Sequence, residues 1–311
     1  MALPKKASEK TDVIEYLFRE RWDTHLGHLS DNVVTLDDVG HAIDRTGADL
    51  SHKNVANFIK DVVRKRDGYF RILPDAVRQA GYGVVQRTGG SCCFTFEPIA
   101  RAESMWVLPD PIRVASPHPI QSVSLQIASR QLGREEETWI TQVVTQLRIV
   151  ETHLALYSSV HVAQVEHLQI SVKQKDAETD SLYLAHVGDT QEIGYLRRLV
   201  VSCEVKGFDD DILKTQIAQQ IKALAANRKL RIDGLLPLAV KVIRAKERCI
   251  LHVVEFAEVP AADVDAVEFD TLAIATEQAY EISPAVQGLT ERMRNGERGK
   301  AGELSHAIAA R

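Results

Sequence analysis

The run Val200-Val201-Ser202-Cys203-Glu204-Val205-Lys206-Gly207 sets a carboxylate and an ammonium two residues apart at the end of an apolar, β-branched stretch. Such a stretch predicts a buried strand. Side chains alternate faces along a strand, so Glu204 and Lys206 point to one side while Cys203 and Val205 enter the opposite layer. A second apolar run starts at Glu178-Thr179-Asp180-Ser181-Leu182-Tyr183-Leu184, and Gly188-Asp189-Thr190 and Gly194 separate the two. They read as neighbouring strands joined by a hairpin. Taken singly, a Glu-x-Lys on a strand is a solvated face and an Asp at a strand start is a turn former. Together, Asp180, Glu204 and Lys206 are expected at one edge of one sheet, and that convergence needs a chemical reason.

Two carboxylates and an ammonium at one strand end suit a hard divalent cation and the water it activates for attack on a phosphodiester. Asp180 followed by Glu204-x-Lys206 resembles the PD-(D/E)xK nuclease superfamily, and within it the DNA-cutting restriction endonucleases. Thr179 stands where the family name has proline, a position that carries no chemistry. Glycine follows Lys206, and Asp209-Asp210-Asp211-Ile212-Leu213-Lys214-Thr215-Gln216-Ile217-Ala218-Gln219-Gln220-Ile221 then reads as a capped helix, the order usual in this superfamily. The resemblance covers roughly residues 120–260. It implies a restriction-endonuclease-like mixed sheet flanked by helices, with Mg²⁺ held by Asp180, Glu204 and the carbonyl of Val205. Lys206 would orient the attacking water and stabilise the transition state. Glu178, on the same face as Asp180, would assist the metal. Glu151, on a helix packed near the first strand, is a further candidate for metal or water. Gln216 and Gln220, one helical turn apart, are candidates for contact with the DNA backbone near the cut.

At 311 residues with 45% apolar content, the chain can fill two cores. No segment approaches the ~20 apolar residues of a membrane span. The start, Met1-Ala2-Leu3-Pro4-Lys5-Lys6, has no apolar segment behind its lysines, so no signal peptide is expected and the chain reads as cytoplasmic, in a prokaryote. Cys92, Cys93, Cys203 and Cys249 lack the spacing of a zinc site and read as reduced core residues. G-x-x-x-x-G-K-[ST], G-x-S-x-G and H-E-x-x-H are all absent from the sequence, which removes nucleotide-loop, hydrolase-elbow and zincin chemistries.

A net charge of −5 is not that of a nucleic-acid binder, but its distribution is uneven. Residues 51–87 carry eight basic side chains against three acidic ones. Helical spacing predicts helices over residues 12–26, Leu36–Arg45 and Ser51–Arg66, the last capped by Ser51. The outward face of the third carries Lys53, Asn54, Asn57, Lys60, Arg64 and Lys65, a mixture suited to base edges and phosphates. A short strand is expected at Tyr69–Leu73 and a hairpin over Gly83–Phe96 turning at Gly89-Gly90. Three helices and a hairpin wing resemble a winged helix-turn-helix domain, which places Lys53, Asn54, Asn57, Lys60, Arg64 and the wing residue Arg87 against DNA.

The organisation expected is therefore α/β (α+β): a winged-helix recognition domain over residues 1–97, a proline-rich linker over 98–119, and a catalytic domain over 120–311. Within the last, helices are expected at Gln121–Gln131, Glu135–Leu156 and Glu268–Glu281. Strands are expected at Val165–Lys173, Leu235–Ile243 and Cys249–Phe256. The function implied is that of a type II restriction endonuclease, cutting double-stranded DNA at a short sequence with Mg²⁺. Its partners would be double-stranded DNA, a second copy in a homodimer, and a companion DNA methyltransferase acting on the same site. Two alternatives stand beside it: a modification-dependent or repair nuclease of the same fold, and a non-catalytic DNA-binding regulator.

Overall fold

The computed structural model describes residues 8–87, 90–133, 136–174, 177–188, 196–227 and 231–290. The chain is of mixed α and β type. Among the described residues no helix is long and apolar enough to cross a membrane.

The N-terminal part opens with α1 (Glu9–Arg21), whose Val13, Ile14, Leu17 and Phe18 are buried. The helix stops short of residue 26: β1 (Trp22–Asp23) pairs with β2 (His28–Leu29), and Leu26 is exposed. After β3 (Val33–Thr35) comes α2 (Leu36–Thr46), closed at both ends by local chemistry. Thr35 and Asp38 form a reciprocal capping box, and Gly47 takes the left-handed conformation (φ 67°) that ends the helix.

The single helix expected over Ser51–Arg66 is instead a 3-10 segment (His52–Asn57) and the short α3 (Lys60–Val63), followed by α4 (Arg66–Ile72). The chain turns at Arg64 and Lys65 because the Arg64 carbonyl accepts from Asp211 N (3.0 Å) and Lys65 is extended. The strand expected at Tyr69–Leu73 is this helix α4. Its first N–H, on Arg66, donates to the Asp211 carboxylate (2.9 Å), a cap supplied from 145 residues away. The Tyr69 hydroxyl is buried against β4 (Tyr82–Gln86), accepting from Val84 N at 2.7 Å. Only glycine at position 83 permits that approach, since a Cβ there would sit 2.5 Å from the hydroxyl. Helix α5 (Asp75–Gln79) precedes β4, and β5 (Cys92–Pro98) follows it. The order β3-β5-β4 makes a small antiparallel sheet. The expected hairpin is present, and residues 88 and 89 of its turn lie outside the described residues.

The proline-rich stretch 98–119 is structured and built into the rest of the chain. It holds α6 (Ile99–Glu103), β6 (Trp106–Val107), α7 (Pro111–Ala115) and β7 (His118–Gln121). Ala102, Met105 and Trp106 are buried in a core shared with Val13, Phe96, Ile217 and Phe256.

The large sheet follows. Helices α8 (Ile127–Leu132), α9 (Glu137–Gln146) and α10 (Ile149–Leu156) lead to β8 (Val162–Lys173), β9 (Glu178–Val187) and β10 (Arg197–Lys206). Then come β11 (Ile212–Leu213), α11 (Lys214–Ala225), β12 (Gly234–Ile243), β13 (Cys249–Phe256), β14 (Val259–Pro260) and β15 (Ile274–Ser283). The order is β7-β15-β13-β12-β10-β9-β8, with β14 beside β12 and β11 paired separately with β6. Pairs β10–β12 and β15–β7 are parallel and the others antiparallel, so the sheet is mixed.

Three helical expectations are corrected here. Residues 121–126 are not helical, and α8 begins only at Ile127. The helix over 135–156 breaks at Leu147-Arg148, where Arg148 has φ 53°, and its two pieces bury Ile140, Val143 and Val144, then Ile149, Val150 and Leu154. The segment 268–281 forms a 3-10 turn (Phe269–Thr271) and then strand β15, because hydrogen bonding to β13 on one side and β7 on the other overrides its Ala, Glu and Gln content.

Candidate active site

The hairpin of β9 and β10 builds the floor of the site. Its last ladder pair is Ser181 with Cys203, so one step further out the register sets Asp180 opposite Glu204. Cys203 and Val205 are buried among Val143, Val150 and Leu238 beneath α9 and α10, as the alternation requires. Glu204 and Lys206 face the other way, toward α11 and the N-terminal part, and are only 3% and 8% exposed. The turn of this hairpin, residues 189–195, lies outside the described residues.

At the open end of the strands the Asp180 carboxylate accepts from the backbone N–H of Val205 at 2.7 Å. Lys206 Nζ donates to Glu204 Oε1 at 2.5 Å and to Glu137 Oε1 at 3.3 Å. Gln216 and Gln220 lie one turn apart on α11. The Gln216 amide donates to Glu204 Oε1 and the Gln220 amide to Glu204 Oε2, and Gln220 also donates to the Glu178 carbonyl (2.7 Å). These glutamines hold the carboxylate of Glu204, where sequence reasoning set them against DNA. Helix α11 can do this because Ile217, Ile221 and Leu224 bury its other side.

Ionisation follows from this packing. Burial, then the charge of Glu204, pushes Asp180 up to about 7 against the pull of the Val205 N–H. Burial also raises Glu204, opposed by Lys206. Burial alone would lower Lys206, but the carboxylates of Glu204 and Glu137 overcome it and hold the ammonium charged well above its ordinary range.

These groups line a solvent-connected cleft of about 490 Å³. Glu178 is on its wall, with an exposed side chain. The opposite wall comes from the N-terminal part: Asn57, Lys60 and Arg64, together with Gln86 at the end of β4. Arg64 is paired with Asp210 at 2.5 Å. The side chains of Lys53 and Asn54 lie outside the described residues.

Two expected residues are elsewhere. Glu151 sits on α10 with Arg148 as its ion partner (3.5 Å), on the same side of the sheet as Cys203 and Tyr183, and takes no part in the cleft. The acidic residue that a neighbouring helix does supply is Glu137, in the first turn of α9, which sequence reasoning missed. Arg87 is committed to its own chain: it binds Glu97 (3.0 Å), Glu268 (3.3 Å) and Thr95 (3.2 Å), and lies over the Phe269 ring.

The donor set suits a hard cation. Asp180, Glu204 and Glu137 set three carboxylates around one ammonium, and oxygen ligands of this kind are what Mg²⁺ takes. Glu204 Oε2 accepts one hydrogen bond, from Gln220, and keeps a lone pair beyond it, whereas Oε1 already accepts from both Lys206 and Gln216. Among the described residues no three His, Cys, Asp or Glu side chains are already grouped as a metal site. Comparison with protein-family models, with curated proteins and with solved structures finds no match to this chain.

Proposed function

We propose that the chain is a Mg²⁺-dependent endonuclease that hydrolyses phosphodiester bonds in double-stranded DNA, working as a type II restriction endonuclease with a winged-helix N-terminal part. One observation carries the reading: Asp180, Glu204 and Lys206 meet in a single cleft whose far wall is Asn57, Lys60 and Arg64. Carboxylates on one side and cationic and amide side chains on the other suit a reacting phosphate and the strand that carries it.

Asp180 and Glu204, with the Val205 carbonyl and Glu137 beside them, are the groups that would hold Mg²⁺. Bound there, the ion would offset charge on the scissile phosphate and acidify a water. Lys206 supplies a fixed positive charge for the phosphoryl oxygens, held in place by Glu204 and Glu137. Gln216 and Gln220 keep Glu204 in one orientation, so the carboxylate needs no rearrangement when the phosphate arrives.

A plasmid digest tests this. Discrete fragments formed with Mg²⁺ and abolished by EDTA or by Lys206→Ala are the expected result. Fragments on methylated DNA alone would move the assignment to a modification-dependent nuclease. Intact plasmid at every Mg²⁺ concentration, with DNA bound, would overturn catalysis and leave a DNA-binding regulator.

A further inference from the structure

The main cleft does not end at Lys206. A second, smaller cavity of about 120 Å³ adjoins it, and Gln86, Thr215 and Gln219 line both. The two form one groove running along α11. Thr215, Gln219 and Lys222 follow one another at four- and three-residue spacing, which puts them on one helical face. That face is distinct from the one that buries Ile217 and Ile221 and from the one that holds Glu204 through Gln216 and Gln220. From Thr215 to Lys222 the helix advances roughly 10 Å, about three base steps along one strand.

We propose that Gln86 and Gln219 are the residues that choose the DNA sequence, reading base edges beside the cut, while Lys222 at the far end is held by Glu268 (3.3 Å). The inference rests on the endonuclease reading of the cleft and adds where its specificity resides. Gln86 comes from the N-terminal part and Gln219 from the C-terminal part, so the groove is walled by amides from both. A carboxamide presents a donor and an acceptor in one plane and pairs in bidentate fashion with adenine N6 and N7 in the major groove. Both side chains are half-buried, which limits their rotamers and gives a base edge a defined partner. The expected determinant, a single helix over Ser51–Arg66, is not formed as one element: the chain makes a 3-10 segment and the short α3 there.

The test separates this inference from the reading beneath it. A pool of random-sequence duplexes is bound to the protein in EDTA, and the enriched sequences are compared for wild type, Gln86→Ala, Gln219→Ala and Gln219→Glu. Wild type is expected to enrich a motif containing adenine. Each alanine variant is expected to lose roughly tenfold discrimination at one position. Gln219→Glu is expected to move the preference at its position toward cytosine, whose N4 amino group a carboxylate accepts, a change that misfolding cannot imitate. The same motif enriched to the same depth by all four proteins overturns the inference, as does a wild type that enriches nothing. Cleavage with Mg²⁺ that ignores sequence sinks this inference and leaves the hydrolase standing. A wild type that enriches the motif and never cleaves does the reverse.

Discussion

The Asp180 carboxylate, one residue beyond the last β9–β10 ladder pair, receives at 2.7 Å the N–H of Val205, two residues beyond it on β10. Where the strands part, a side chain takes over the backbone's hydrogen bond. The same bond fixes Asp180 beside Glu204, so two buried carboxylates share one site, and the proton affinity of Asp180 rises to about 7.

That rise has a sign for stability. Native Asp180 keeps its proton where the unfolded chain, with a value near 3.8, has lost it. Its contribution is fully present below about pH 4 and is lost as the pH climbs through about 7. Asp180→Asn should therefore flatten the decline in melting temperature between pH 5 and 8, measured by calorimetry in EDTA, with the largest gain over wild type at the alkaline end.

Lys206 is the ammonium on which both function and packing depend. Lys206→Met should cut DNA hydrolysis at least 100-fold while leaving DNA affinity nearly unchanged, because the lost charge acts on the transition state. It should also cost about 3 kcal/mol in urea unfolding, since Glu204 is left buried without its cation. The double variant Glu204→Gln with Lys206→Met should recover most of that stability and none of the activity.

Strands β9 and β10 were legible because their pattern is local: alternate side chains separate Val201, Cys203 and Val205 from Glu204 and Lys206. Helix α2 was legible for the same reason, since Thr35, Asp38 and Gly47 all lie within its own turn chemistry. Helix α4 was not, because its N-terminal cap is Asp211 and aromatic Tyr69 and Phe70 look strand-like in isolation. Strand β15 was hidden because β7 and β13 provide its hydrogen bonds. The break at Arg148 explains the choice of the wrong glutamate. Reading 135–156 as one helix gives no reason to single out its first turn, yet Glu137, there, reaches Lys206. Gln216 and Gln220 were noticed by their spacing, but their partner Glu204 becomes visible only once α11 lies against β10.

Arg87 belongs to a clamp between the two parts of the chain. It and Arg101 share the buried Glu97, and both reach Glu268 across to the segment before β15. Arg87→Ala should lower stability by about 1–2 kcal/mol through the half-paired Glu97. DNA affinity in a gel-shift titration should stay within about twofold of wild type, because a guanidinium with these partners has little to give to a phosphate.

Trp106 tests whether residues 98–119 are a tether or core. Its indole N–H donates to the Val63 carbonyl at 2.9 Å, and its ring packs edge-on against Tyr69 at 4.8 Å between centroids. Trp106→Ala should cost about 3–5 kcal/mol in chemical unfolding. Trp106→Phe keeps most of the apolar contact and strands only the carbonyl, so about 1–2 kcal/mol is expected. A neutral Trp106→Ala would mean that the proline-rich stretch is dispensable to the fold.

Lys60 and Arg64 share the cleft wall but differ in what binding requires of them. Lys60 is exposed, whereas Arg64 is already neutralised by Asp210 at 2.5 Å. A phosphate that meets Lys60 releases counterions. One that meets Arg64 must first displace a carboxylate, so less salt dependence is gained. Lys60→Ala should therefore reduce the slope of log affinity against log salt by about 1, read by fluorescence anisotropy on a short duplex. Arg64→Ala should reduce it by clearly less, and Asp210→Asn should raise affinity by releasing the guanidinium. Equal slopes for all of these proteins would mean that DNA does not pass along this wall.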